Sequence, residues 1–119
     1  MFDIVKIGKQ EVPMLAMARV DVFYRNIFHE DPILVQTRDQ DEGSAILFFE
    51  QMGFVMAKYA ELKKSSEMRK LNEDAYIDWL GQFTRSDYIS ALPDIMNVYN
   101  GQQVTESDAK KKDEEPSAG

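Results

Sequence analysis

The sequence predicts a mostly α-helical domain, which begins with a β-hairpin and ends in a disordered tail. Three observations support this: an alternating segment broken by glycine at the N-terminus, apolar residues spaced three and four apart through the middle, and a polar end. With 119 residues, 44% of them apolar, the chain has room for one compact core. We therefore expect a single α-rich domain over residues 1–101 and a disordered tail over residues 102–119.

A β-hairpin is expected over about residues 2–16. The segment from Phe2 to Ile7 alternates imperfectly between apolar and polar residues, and Gly8-Lys9 can form a tight turn before an extended pattern resumes at Val12. Pro13 cannot donate a hydrogen bond to a ladder, so it has to lie at a strand edge.

Four or five helices are expected between about residues 17 and 100. The first begins near Ala16 and should end by Pro32, because the residue before a proline is pushed out of helical backbone geometry. A short helical turn over Ile33–Arg38 and an acidic loop follow. Ser44 is then the expected N-cap of the next helix.

The main helix is predicted from about Ala45 to Lys64 and to be the most buried one. It has too many apolar residues for one stripe, and such a helix is buried centrally or covered by a partner. Gly53 costs about 1 kcal/mol of helix propensity relative to alanine, so we expect it to permit close packing of another element. Four apolar side chains of this helix are predicted to form a surface that is covered in part by a second copy or by a partner protein: Met52, Phe54, Met56 and Tyr59.

Two shorter helices complete the predicted domain. After a polar connector over residues 63–70, Asn72 is expected to cap one helix, and Ser86 the last. Pro93 is expected to split or kink this last helix, which ends at Asn100-Gly101. The predicted core residues are Phe48, Trp79, Leu80 and Phe83.

Charge and composition argue against several functional classes. The net charge of -7 offers no overall electrostatic footprint for nucleic acid or for an anionic membrane. The absence of cysteine removes disulfides and thiolate sites and favours a reducing compartment. No segment resembles a signal peptide or approaches the ~18 apolar residues of a membrane span. We expect a soluble cytoplasmic protein that binds neither nucleic acid nor membrane.

The sequence offers no convincing catalytic or metal site. The single histidine, His29, lacks the second imidazole of a helical zinc motif and is expected at a helix end or in solvent. Asp39, Asp41 and Glu50 match the first, third and twelfth positions of a calcium loop, but Ser44 stands where that loop needs glycine. We therefore expect no enzyme and no cofactor.

Several short segments, in the same order, carry a resemblance to a known family. They are Ile7-Gly8-Lys9 with Val12-Pro13, Tyr24-Arg25 followed by Ile27-Phe28, Phe54 to Lys58, Trp79-Leu80 with Phe83, Leu92 to Ile95, and Asn100-Gly101. The chain resembles the small tail assembly chaperones of long-tailed, siphovirus-type bacteriophages and prophages, which are encoded just upstream of the tape measure protein. At Phe28-His29 it departs from the family pattern, which has Phe-Gly before an acidic residue.

The resemblance implies a function in virion morphogenesis. Such chaperones bind the long, helical tape measure protein, keep it soluble and help tail tube protein to polymerise around it. They act in the host cell cytoplasm and are absent from the mature virion. The resemblance is compatible with a homo-oligomer.

The resemblance also bears on a lysine run in the tail. Chaperones of this family often have a longer form made by programmed frameshift. Lys110, Lys111 and Lys112 are a candidate frameshift-encoded run, because adenine-rich lysine codons can re-pair after slippage. A solvated linker with no such role is the alternative, since Asp113 to Glu115 offset the lysines at once.

Two other functions remain open from the sequence. One is a phage or host regulatory adaptor that binds another protein through a helical face. The other is a small helical domain whose Phe and Met side chains line a ligand pocket, although convergent polar groups are not apparent.

Overall fold

The computed structural model describes residues 1–38 and 42–101, which form two strands followed by six helices. The elements are β1 (Phe2–Ile7), β2 (Gln10–Leu15), α1 (Ala18–Phe28), α2 (Pro32–Arg38), α3 (Glu42–Leu62), α4 (Ser65–Met68), α5 (Glu73–Leu80) and α6 (Arg85–Gly101). The prediction of a mostly helical domain with an N-terminal hairpin is confirmed. The predicted tail, with its lysine run Lys110 to Lys112, lies outside the described residues.

The two strands form an antiparallel hairpin that turns at Gly8, whose φ of 62° is the left-handed value that favours glycine. Met1 and Ala16 exchange both backbone hydrogen bonds. The alternation of an antiparallel ladder therefore places the pair Ile4 and Pro13 at a position without ladder hydrogen bonds. No hydrogen bond between the strands needs an N–H at that position, so Pro13 breaks none. This agrees with its predicted position at a strand edge.

The central element is α3, which contacts β2 and the helices α1, α2, α4, α5 and α6. It begins at Glu42, so Ser44 lies inside the helix and the prediction of Ser44 as N-cap is wrong. The prediction that this helix is the most buried agrees with its place between the hairpin and the other helices.

The predicted partner surface on α3 is wrong. Its four residues are almost entirely inaccessible within the single chain: Met52 0%, Phe54 0%, Met56 0% and Tyr59 5% exposed. The reason is that the hairpin and the other helices pack around α3 and leave it no long apolar face in solvent. The Tyr59 ring, for example, lies 5.3 Å edge-on from that of Phe23 in α1.

The predicted core residues lie in or against the core. Phe48 and Trp79 are buried, at 2% and 8% exposure, while Leu80 and Phe83 are half-buried and pack against the same cluster. The α5 helix that carries Trp79 begins as predicted, with the Asn72 side chain accepting a hydrogen bond from the Ala75 N–H at 3.0 Å.

Gly53 lies where α3 and α6 approach each other closely, as the sequence predicted. A Cβ atom at this position would lie 2.5 Å from the Tyr88 hydroxyl oxygen and 3.2 Å from Cδ1 of Ile95. The same hydroxyl donates a 2.7 Å hydrogen bond to the Glu50 carbonyl. Glycine therefore makes room for the tyrosine that ties α6 to α3.

Two local predictions need correction, and of the two alternatives for Pro93 the split does not occur. The polar connector contains the short helix α4. Its last residue, Met68, is fully buried and anchors this single turn against the core. The cap of α6 is Thr84, whose hydroxyl accepts the Asp87 N–H at 3.1 Å, and not Ser86, which lies within the helix. The same helix continues through Pro93 and is not split there.

Candidate functional site

A groove of about 260 Å³ lies between the hairpin and helices α3 and α5. We call it the β2–α3 groove, and it is lined by Val12, Pro13, Ala57, Ala60, Glu61 and Trp79. Apart from Glu61, these side chains are apolar or aromatic. The groove therefore offers an apolar cleft beside one carboxylate.

Two small residues and one large ring shape this groove. Ala57 and Ala60 are three residues apart, so they lie on one side of α3, and their methyl groups leave space that larger side chains would fill. Trp79 projects from α5 to form a wall. Its ring is held edge-on by Phe54 at 5.6 Å and by Phe83 at 5.0 Å between centroids. The cleft is thus backed by the packed core.

The carboxylate beside the groove belongs to Glu61, whose side chain is 63% exposed. Its Oε2 atom lies 3.1 Å from Nζ of Lys58, one turn earlier on α3. Exposed ion pairs of this kind contribute little to stability, typically about 0–1 kcal/mol. Glu61 is therefore available to a cationic group on a molecule that occupies the groove.

The chemistry of the groove favours binding an apolar side chain. Small-molecule pockets are typically about 300–1,000 Å³ and hold several convergent polar groups, whereas this groove has a single carboxylate. It contains no serine, histidine or second carboxylate for acid–base or nucleophilic chemistry. Among the described residues, no group of three or more His, Asp or Glu side chains could hold a metal ion.

A second cleft, of about 360 Å³, lies between the end of α1 and the start of α5. His29 lines it and caps α1 with a left-handed φ of 61°, its N–H donating to the Arg25 carbonyl at 2.8 Å. This confirms the prediction of a histidine at a helix end. Glu73 and Asp74, also in this cleft, lie in the first turn of α5, where carboxylates stabilise the helix dipole. His29, Glu73 and Asp74 therefore have structural roles at the ends of these two helices.

The calcium-loop frame considered from the sequence does not form around Glu50. Glu50 lies in the middle of α3, and helix geometry over its preceding residues is incompatible with the sharp turn of a calcium loop. The other two frame residues, Asp39 and Asp41, lie outside the described residues.

Buried tyrosine hydroxyls hold the helices together. Tyr24 donates to Oε1 of Gln51 at 2.7 Å, and Tyr99 donates to Oδ1 of Asp21 at 2.8 Å. Burial raises the pKa of Tyr24, of Tyr76 and of Tyr88 well above the ordinary tyrosine value, so these side chains stay neutral at physiological pH. Tyr24 and Tyr88 are structural donors, whereas the buried hydroxyl of Tyr76 has no hydrogen-bond partner among the described residues.

Asp21 is the carboxyl group with a perturbed environment in the described part of the chain. Burial raises its pKa, and the nearby Asp31 acts in the same direction, while the hydrogen bond from Tyr99 and the charge of Arg25 oppose the shift. The contact with Tyr99 links α1 to α6. The raised pKa of Asp21 therefore follows from the packing of α1 against α6.

Comparison with known proteins leaves the family open. No protein-family model matches the chain, and neither a curated protein nor a solved structure is significantly similar to it. Within the residues that the structure describes, no helix has the length and apolarity needed to span a membrane. A function therefore has to be inferred from the chain's own residues.

The sequence interpretation missed the β2–α3 groove. Its signal is present in the spacing of Ala57 and Ala60 within a helix of large apolar residues. A second missed feature is the solvent face of the hairpin, where Phe2 is 59% and Ile4 is 53% exposed. Both features lie outside the surface that the sequence predicted on α3.

Proposed function

We propose that this protein is a phage tail assembly chaperone that binds the tape measure protein and keeps it soluble until tail tube protein polymerises around it. The ordered sequence segments that resemble this family support the proposal. The structural observation that carries it is the β2–α3 groove, an apolar cleft bordered by the single carboxylate of Glu61. Such a cleft suits reversible protein binding.

The proposed client is an amphipathic helix whose apolar side chain enters the groove. Helix-in-groove recognition uses apolar anchors spaced three, four and seven residues apart, which a long helical protein presents repeatedly. Burying one large apolar side chain contributes roughly 1.5–3 kcal/mol. A single groove therefore gives weak and reversible binding, and a long client with many such sites has several chaperones bound to it at any time.

Weak binding suits the proposed place of action. The chaperone works in the host cytoplasm and has to leave before the virion is complete, which tight binding would prevent. The net charge of -7 helps loaded complexes to repel one another and stay dispersed. Glu61 at the groove favours clients with a basic residue beside their apolar anchor.

Filling the groove is expected to reduce client solubilisation in a variant that circular dichroism shows to be folded, a check that is needed because Ala60 is only 8% exposed. Ala60→Leu places extra apolar volume where the client side chain would bind, so the soluble fraction of the client should fall at least several-fold. The measurement is co-expression with the protein encoded directly downstream, scored as soluble against pelleted client. Ala18→Leu makes the same change at an exposed position of α1 and should behave as wild type.

Two results would count against this function. Full solubilisation of the client by Ala60→Leu, with Ala18→Leu also active, would exclude the groove as the binding site. A repressor gene in place of a tape measure gene beside this one, with no effect on client solubility, would favour the regulatory adaptor instead.

A further inference from the structure

The solvent face of the hairpin is unusually apolar. Strand alternation and the pairing register place three cross-strand pairs on this outer face: Phe2 with Leu15, Ile4 with Pro13, and Lys6 with Glu11. Phe2 and Ile4 are more than half exposed, whereas Val5, Ile7 and Met14 on the opposite face are buried. Antiparallel sheets that cover a core usually show polar side chains to solvent. Two of the three outer pairs here are apolar.

Each edge of the hairpin has one central position that cannot donate to another strand. On β1, the outward N–H of Ile4 is taken by its neighbour, Oδ1 of Asp3, at 2.8 Å. On β2, Pro13 has no N–H to offer at the outward position. Blunted edges are a recognised defence against edge-to-edge association. These two positions make pairing through the edges less favourable than packing on the apolar face.

The outer face is complementary to a second copy of itself. If two hairpins pack face to face about a two-fold axis parallel to the strands, β1 of each protomer lies over β2 of the other. The cross-strand pairs then recur between protomers. Lys6 faces Glu11 of its partner, Glu11 faces Lys6, and the apolar pairs face each other. This arrangement is an isologous interface with opposite charges matched twice.

Another two-fold arrangement fits less well. With the axis perpendicular to the strands, Phe2 would face Lys6 of the partner and Leu15 would face Glu11. Charged groups would then be buried against apolar ones, which is unfavourable. The distribution of charge along the face therefore selects one geometry, in which the sheets are aligned as in a β-sandwich.

We propose that the protein forms a symmetric dimer through this outer face, with Lys6 and Glu11 paired between protomers and Phe2 and Ile4 in the apolar centre. The inference does not rest on the proposed function. The face is only two strands wide and about 13 Å long at 3.3 Å per residue, so the interface is smaller than the roughly 800 Å² per partner of stable complexes. We expect a concentration-dependent dimer with a Kd on the order of 100 μM.

Charge reversal tests the proposed dimer, measured as the weight-average mass by sedimentation across a concentration series. Lys6→Glu alone and Glu11→Lys alone should each weaken self-association about tenfold, because like charges then face each other twice. Mixing the two variants should restore association, since every acidic residue then faces a basic one across the interface. Mixing cannot repair the pair within each hairpin, so restoration reports on the interface and not on folding.

A second pair of variants tests the apolar centre. Ile4→Lys should give a monomer, while Ile77→Lys, at a position on α5 that is 61% exposed, should dimerise as wild type. A wild-type protein that stays monomeric up to ~1 mM would overturn the proposal. So would a dimer that Ile4→Lys leaves intact, or single charge variants that fail to associate when mixed. Loss of client solubilisation by Ile4→Lys without any wild-type dimer would assign the face to the client instead.

Discussion

Replacing Trp79 with alanine is expected to lower the free energy of unfolding by about 3–5 kcal/mol. Trp79 is only 8% exposed, and its ring packs edge-on against those of Phe54, Phe83 and Tyr88. Its loss would leave a cavity between α3, α5 and the start of α6 that these rings cannot fill without moving. Urea unfolding followed by circular dichroism at 222 nm measures the effect.

The control for Trp79 lies on the same helix. Ile77 is 61% exposed, so Ile77→Ala should change stability by no more than about 0.5 kcal/mol. If Trp79→Ala were as stable as Ile77→Ala, Trp79 would not belong to the core, and its assignment here would be wrong.

Gly53→Ala is expected to destabilise the protein by about 2 kcal/mol, although alanine is the better helix former. The added methyl would lie 2.5 Å from the Tyr88 hydroxyl oxygen, which is fixed by its hydrogen bond to the Glu50 carbonyl. The tyrosine has to move and break this bond, and its ring is buried among other side chains. The steric cost therefore exceeds the gain in helix propensity.

A double-mutant cycle tests this explanation. In the Tyr88→Phe background the hydroxyl is gone, so Gly53→Ala should cost less than about 1 kcal/mol. Gly43→Ala, at an exposed glycine in the first turn of the same helix, should be neutral or slightly stabilising. An equal cost of Gly53→Ala in both backgrounds would show that contact with Tyr88 is not the cause.

Local features of this fold could be predicted from the sequence because their causes are local. The hairpin turn at Gly8 depends on one backbone conformation, and the Asn72 cap depends on one side chain and an N–H three residues later. Gly53 could be assigned to close packing because glycine inside a helix needs a reason.

The partner surface could not be predicted because burial depends on distant parts of the chain. The sequence shows that α3 is apolar on all sides, but not that the hairpin and several helices surround it. Met52 and Met56 are therefore core residues, although α3 has more apolar side chains than a single helix face can hold. The imperfect alternation of β1 now has an explanation, since Phe2 and Ile4 place apolar side chains on the solvent face.

The β2–α3 groove could not be predicted for a related reason. A groove is space that side chains leave unfilled between neighbouring elements. The small side chains of Ala57 and Ala60 leave such space because β2 and Trp79 lie on either side of them. Neither neighbour is adjacent to these alanines in sequence. The spacing of two alanines on one helix indicates that they share a face, but not which elements pack beside that face.

The proposed binding of a client helix in this groove is tested most directly through Trp79, the only tryptophan in the chain. Labelling with 5-fluorotryptophan gives a single fluorine resonance from a ring that lines the groove. Addition of the purified tape measure segment encoded downstream should shift this resonance in the wild-type protein and leave it unchanged in Ala60→Leu. An unchanged wild-type resonance under conditions where the client is bound, or an equal shift in both proteins, would contradict the proposed site.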